Sequence, residues 1–152
     1  MSIELTDNEY LRLISMPKEF QSVPALPVEV EKKSYTVRSK DGKETFLLTA
    51  ERNIIFELSK SKLNSSYSRE PIFRVEYNCR PHMNPDGAII GRNHVHVYKS
   101  GYGMSWAYPL ETFDAVLFKQ PADFNVFFAD FCSYCHIDNI QLVQGVISCC
   151  NN

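Results

Sequence analysis

The stretch Tyr35-Thr36-Val37-Arg38-Ser39-Lys40-Asp41-Gly42-Lys43-Glu44-Thr45-Phe46-Leu47-Leu48-Thr49-Ala50 decides the fold. Two runs of alternating apolar and polar residues flank Asp41-Gly42, and Asp-Gly supplies the positive φ angles of a two-residue hairpin turn. Pairing Lys40 with Lys43 sets Val37 opposite Phe46 and Tyr35 opposite Leu48, so one face of the hairpin is apolar throughout.

Outward from the hairpin, residues 53–59 read as a third strand with Ile54, Phe56 and Leu58 on one side. Residues 60–71, rich in Ser and Asn, read as a loop. Residues 72–78 alternate Phe73, Val75 and Tyr77 against Arg74 and Glu76, and residues 94–98 alternate Val95 and Val97 against His94, His96 and Tyr98. Both therefore have one core face and one polar face. A further strand is expected over 104–108, after the glycine turn Gly101-Tyr102-Gly103.

At the N-terminus, Thr6-Asp7-Asn8-Glu9 has capping-box spacing with Leu5 and Tyr10 as a hydrophobic staple, so a helix starts at Asp7 and Pro17 ends it. Residues 23–27, carrying Pro24 and Pro27, form an extended connector. Near the C-terminus Pro121 suits a first helical position, and Phe124, Phe127, Phe128, Phe131 and Cys135 recur at helical spacing. That stripe reads as core. Residues 140–147 are apolar and short enough for a final strand. The expected fold is α+β: an antiparallel sheet of about five to six strands, a short N-terminal helix, and one or two C-terminal helices packed on one face.

The 152 residues suit one domain over 1–152, and 44% apolar with 22% charged residues is an ordinary globular balance. No secretory signal or apolar stretch long enough for a membrane span is seen, which makes the cytoplasm the default compartment. A net charge of −2 gives no global basic field for nucleic acid. Between Cys79 and Tyr108, however, Arg80, Arg92 and Lys99 face Asp86 alone.

The chemistry concentrates in that same stretch: Arg80-Pro81-His82-Met83-Asn84-Pro85-Asp86-Gly87, then His94-Val95-His96-Val97-Tyr98, then Gly101-Tyr102-Gly103. Residues two apart on a strand share a face, with roughly 6 to 7 Å between their Cα atoms, so His94, His96 and Tyr98 project side by side. Were the strand of Arg74 and Glu76 the antiparallel neighbour, those side chains would join the same surface.

Three readings of that surface stay open. In the first, His94 and His96 hold a divalent metal, and His82, Asp86 or Glu76 completes the three-ligand set of a catalytic zinc. In the second no cofactor is needed: the histidines act as base and acid on a phosphodiester, and Arg80 or Arg92 stabilises the developing charge. In the third the histidines are only the polar side of a strand, hydrogen-bonded to Glu76 or Tyr98, and Asn84-Pro85-Asp86-Gly87 is only a turn. Cys132-Ser133-Tyr134-Cys135-His136 has metal-knuckle spacing, but adjacent Cys149-Cys150 is the only second pair, so core thiols are expected.

Pro81-His82-Met83-Asn84-Pro85-Asp86-Gly87, with His94-Val95-His96-Val97-Tyr98, Gly101-Tyr102-Gly103 and Trp106-Ala107, resembles a family of small uncharacterised bacterial proteins. Residues 131–147 are similar to that family's close, while Asn93 and Ser100 stand where its pattern has a proline and an acidic residue. The resemblance implies an association with mobile elements, and through it defence, counter-defence or toxin–antitoxin biology. The working expectation is a ribonuclease-like or toxin-like protein acting on RNA. In it His94 and His96 exchange protons, Tyr98, His82, Arg80 and Arg92 position a phosphate, and Asn84, Asp86, Lys99, Tyr102 and Trp106 bind. The rival is a non-enzymatic binding protein with a protein partner, using the same loop and Trp106, Tyr102 and Tyr108 as an interface.

Overall fold

The central hairpin has the register that the alternation dictates: Tyr35 pairs with Leu48 and Val37 with Phe46. Its turn is wider than expected. Ser39 N donates to Glu44 O, Gly42 N to Ser39 O, and the Asp41 carboxylate accepts from Ser39 Oγ and Lys43 N. The Asp41 side chain thus competes with the backbone for the loop's donors, and only Gly42 takes a positive φ, +78°.

The computed structural model describes residues 4–24, 31–55 and 58–138. Its elements are α1 (Asp7–Ser15), β1 (Lys18–Phe20), β2 (Lys32–Ser39), β3 (Thr45–Ile55), β4 (Leu58–Tyr67), β5 (Glu70–Tyr77), β6 (His82–Met83), β7 (Ile89–Ile90), β8 (His94–Val97), β9 (Ala107–Pro109), α2 (Leu110–Phe113) and α3 (Phe124–Tyr134). Seven strands form one antiparallel sheet in the order β1-β2-β3-β4-β5-β8-β9, and β6 and β7 form a separate hairpin. The fold is α+β.

Three expectations are corrected. Residues 60–67 are strand, not loop: β4 pairs with β3 along its length and with β5 from Ser61 to Tyr67, with one register shift at Ser65/Ser66, and two-sided ladder pairing overrides the weak strand preference of Ser and Asn. Its alternation is intact, with Ser61, Leu63 and Ser65 buried on the inner face. The third strand expected over 53–59 is the end of β3 and the start of β4, paired from Ile55 with Leu58. Finally, α3 begins at Phe124 rather than at Pro121, because Asp123 is the N-cap and accepts from the backbone of Asn125 and Val126. The connector over 23–27 lies largely outside the described residues, as do residues 140–147 and Cys149-Cys150.

The inner face of the sheet packs on α3 through aromatic side chains. The Phe73 ring stacks on Tyr134 at 4.4 Å and meets Phe131 at 5.3 Å, while Phe128 packs on Tyr35 and Phe20. Cys132 and Cys135 are buried in this layer. The capping box of α1 forms as expected, with Thr6 Oγ1 accepting from Glu9 N and Glu9 Oε1 from Thr6 N. Among the described residues no helix is long and apolar enough to cross a membrane.

The outer face is polar and open over β2 to β5. Over β8 and β9 it is roofed by the β6–β7 hairpin and by the chain from Gly103 to Trp106. Asn84 fastens the hairpin: its Nδ2 donates to Ala107 O at 3.0 Å and its Oδ1 accepts from Ala107 N at 2.8 Å, so a side-chain amide pairs with the edge strand as a peptide would.

Candidate metal centre

The site begins with the antiparallel pairing of β5 and β8, which sets Glu76 opposite His94 and Arg74 opposite His96. All four face outward, away from Val75 and Val95. The roof then encloses the carboxylate and both imidazoles, leaving Glu76 8%, His94 1% and His96 4% exposed, while Arg74 stays half-buried. The expected pair of imidazoles on one strand face is present, but beneath a lid rather than on a wet surface.

Each imidazole is oriented by a main-chain carbonyl of the roof. His94 Nδ1 lies 2.7 Å from Gly91 O, and His96 Nδ1 lies 2.9 Å from Met104 O. His82, from β6, places Nε2 2.7 Å from Ser105 O. A carbonyl can only accept, so each of these ring nitrogens carries a proton. Met104 and Ser105 come within reach because the chain doubles back at Lys99 to Gly103, where the Lys99 and Gly103 backbones bond reciprocally at 2.9 Å and Gly103 takes a φ of +58°.

With Nδ1 committed, His94 and His96 both aim Nε2 at one oxygen, Glu76 Oε2, at 3.4 and 3.2 Å. The three candidate ligand atoms all lie within 4.8 Å of one another. His82 borders the group, its ring centroid 4.6 Å from that of His96 and 6.1 Å from that of His94. Burial alone raises the Glu76 pKa, but hydrogen bonds from both histidines hold its carboxyl well below the usual carboxylate range. Burial likewise lowers the His94 pKa, yet the Glu76 carboxylate and the Gly91 carbonyl outweigh it, and the net direction is upward. Cys79 lies at the margin, its thiol pushed up to about 11 by burial and then by the Glu76 charge.

The other expected site residues are distributed differently. Tyr98 does not join the imidazoles: its hydroxyl accepts from Leu5 N at 2.8 Å and its ring stacks on Tyr10, so it belongs to the core against α1. The pleat that would have kept it beside His96 ends with β8 at Val97. Arg92 donates to the Asn78 side chain and carbonyl at the end of β5, and Arg80 is exposed. Asp86 accepts from Ala88 N, and Gly87 N donates to Asn84 O, so Asp86 serves the turn; of the three candidate third ligands, Glu76 groups its ligand atom with those of His94 and His96, and His82 borders them through its ring. Lys99, Tyr102 and Trp106 form a separate group, with Lys99 Nζ 5.2 Å from the Trp106 ring and 5.9 Å from that of Tyr102.

The model of the family of unknown function DUF6978 matches residues 5–137, and the chain belongs to that family. No curated protein and no solved structure matches the chain.

Proposed function

We propose that this member of DUF6978 binds a divalent transition-metal ion, zinc by its donor set, on Glu76, His94 and His96, and uses it for hydrolytic chemistry. The observation that carries the reading is the convergence of two Nε2 atoms on one carboxylate oxygen while both Nδ1 protons are held by carbonyls. Both imidazoles can donate to that carboxylate only by carrying a second proton; as neutral rings they turn two lone pairs toward an anion. A cation among them turns that repulsion into coordination, and imidazoles whose far nitrogen donates to a carbonyl are the usual supported ligands of a metal. The two nitrogen–oxygen spacings, 3.4 and 3.2 Å, agree with ligand atoms about 2.0–2.1 Å from a tetrahedral zinc, which lie roughly 3.3 Å apart, and the two nitrogens lie within 4.8 Å of each other.

Two histidines and one carboxylate are also the protein ligands of a catalytic rather than a structural zinc, leaving a fourth position open. A cation held there supplies Lewis acidity and lowers the pKa of bound water. Roles shift accordingly. His94 and His96 hold the ion, and half-buried His82 is the imidazole left to exchange protons. RNA is the substrate we put first, because water activated by a bound cation is suited to phosphodiester hydrolysis, and the mobile-element association that the resemblance implies favours it.

Purified protein incubated with total RNA is expected to cleave it, to lose cleavage in EDTA and to regain it on zinc addition. His82→Ala is expected to retain zinc and lose activity about 10²-fold or more, the usual worth of a general acid or base. Cleavage that ignores EDTA overturns the metal role. Absence of cleavage by zinc-loaded protein overturns the ribonuclease assignment and favours a binding module. The observations behind that second reading are the Lys99–Tyr102–Trp106 group and, on the β6–β7 hairpin, Met83 and Ile89, both more than half exposed; aromatic residues suit a protein partner.

A further inference from the structure

Two cross-strand rows of the open sheet face end at the centre. The first runs Lys32, Glu51, Lys62, Glu76, His94 and the second Ser34, Thr49, Asn64, Arg74, His96, each crossing β2, β3, β4, β5 and β8. Directly opposed residues in such rows have Cβ atoms about 4.5–5.5 Å apart, so Lys62 adjoins Glu76 and Arg74 adjoins His96. Along the first row the charges alternate in sign. Lys32 is taken by Glu51 at 3.5 Å, and Glu76 is taken by the two imidazoles.

Lys62 and Arg74 are left as cations that join no ion pair among the described residues. Arg74 Nε donates to Asn64 Oδ1 at 3.2 Å, which fixes the guanidinium plane while its terminal nitrogens have no protein acceptor among the described residues. Both side chains, with Asn64, Thr49 and Ser34, line a depression of about 440 Å³ on this face. Its one lining carboxylate, Glu51, is the one already paired with Lys32.

We infer that this depression is the phosphoryl subsite of the centre, taking a phosphate of a nucleotide or of single-stranded RNA on Arg74 and Lys62. The inference rests on the cation reading above and names the substrate group that the centre acts on. An oriented guanidinium fork matches two phosphate oxygens at once, and a lysine adds a point charge from the neighbouring strand. Asn64, Thr49 and Ser34 offer hydrogen bonds to a sugar or base without further charge.

Calorimetric titration of zinc-loaded protein with 5′-AMP, inorganic phosphate and an oligouridylate tests this, with zinc content measured on the same samples. All three probes are expected to bind, the oligonucleotide with affinity that falls as salt rises. Arg74→Gln is expected to weaken AMP and phosphate at least ten-fold and Lys62→Gln several-fold, both keeping the wild-type zinc content. Unchanged AMP affinity in both variants, or no AMP or RNA binding by the wild type, overturns the subsite. Protein that holds no zinc but binds AMP through Arg74 overturns the cation reading and leaves the subsite standing.

Discussion

Zinc-loaded protein is expected to unfold well above the EDTA-stripped form, by roughly 8–16 °C in a thermal melt with free zinc near a thousand times its dissociation constant. An ion that binds only the native state adds about 4 kcal/mol under those conditions, and each kcal/mol shifts Tm by about 2–4 °C for a chain of this length. The stabilisation is available because all three ligands come from paired strands, Glu76 on β5 and His94 and His96 on β8, so the native sheet assembles what the unfolded chain does not. His96→Ala is expected to abolish the zinc-dependent shift while melting close to the stripped wild type. Identical melts with and without zinc contradict the account.

The second large effect lies across the molecule, at Lys18. Only 1% exposed, its ammonium donates to Ile14 O at 3.0 Å, Met16 O at 3.1 Å and Cys135 O at 2.8 Å, and sits 4.9 Å from the Phe46 ring centroid. These carbonyls close the C-terminal ends of α1 and α3, where positive charge is favoured. One side chain thereby ties both helices to β1. Lys18→Met keeps the volume and leaves two acceptors, Met16 O and Cys135 O, without the ammonium donor, while Ile14 O keeps His136 Nδ1 at 3.2 Å; the loss is about 1–3 kcal/mol each, partly offset because a charge no longer has to be buried. The net expectation is a loss of about 3 kcal/mol, read as a Tm roughly 6–12 °C lower.

The same variant carries a pH signature. Burial pulls the Lys18 pKa down from 10.5 to about 8. Between those values the unfolded chain holds a proton that the folded chain has released, so folding stability attributable to this residue rises with pH across that window. The gap between wild type and Lys18→Met in urea unfolding is expected to widen by up to about 3 kcal/mol from pH 8 to pH 10.5. A gap that is flat or narrows over that range rules out a depressed Lys18 pKa.

Where side-chain alternation reports directly on burial, the fold is legible in the sequence. Tyr35, Val37, Phe46 and Leu48 fix a hairpin register, and the Phe124 to Phe131 stripe fixes which side of α3 faces the sheet. The 60–67 strand is hidden because Ser61 and Ser65 are small polar residues in a buried row that only pairing with β3 and β5 makes tolerable. The site is half legible. His94 and His96 announce themselves by spacing two apart, and Glu76 stands out once β5 is taken as their neighbour. What spacing could not convey is the roof: carbonyls of Gly91, Met104 and Ser105 arrive through tertiary folding and fix which nitrogen of each ring carries the proton. Lys18 gives no signal at all, since one lysine in a short edge strand looks like any solvated lysine until both helix ends close over it.

The central claim is that a metal ion belongs among Glu76, His94 and His96. X-ray absorption at the zinc edge, on protein carrying about one zinc per chain, addresses it most directly. The account predicts only nitrogen and oxygen neighbours at about 2.0–2.1 Å, two of them imidazoles, and loss of the ion in the double variant His94→Ala, His96→Ala. A sulfur neighbour at about 2.3 Å, or zinc retained undiminished by the double variant, would contradict it.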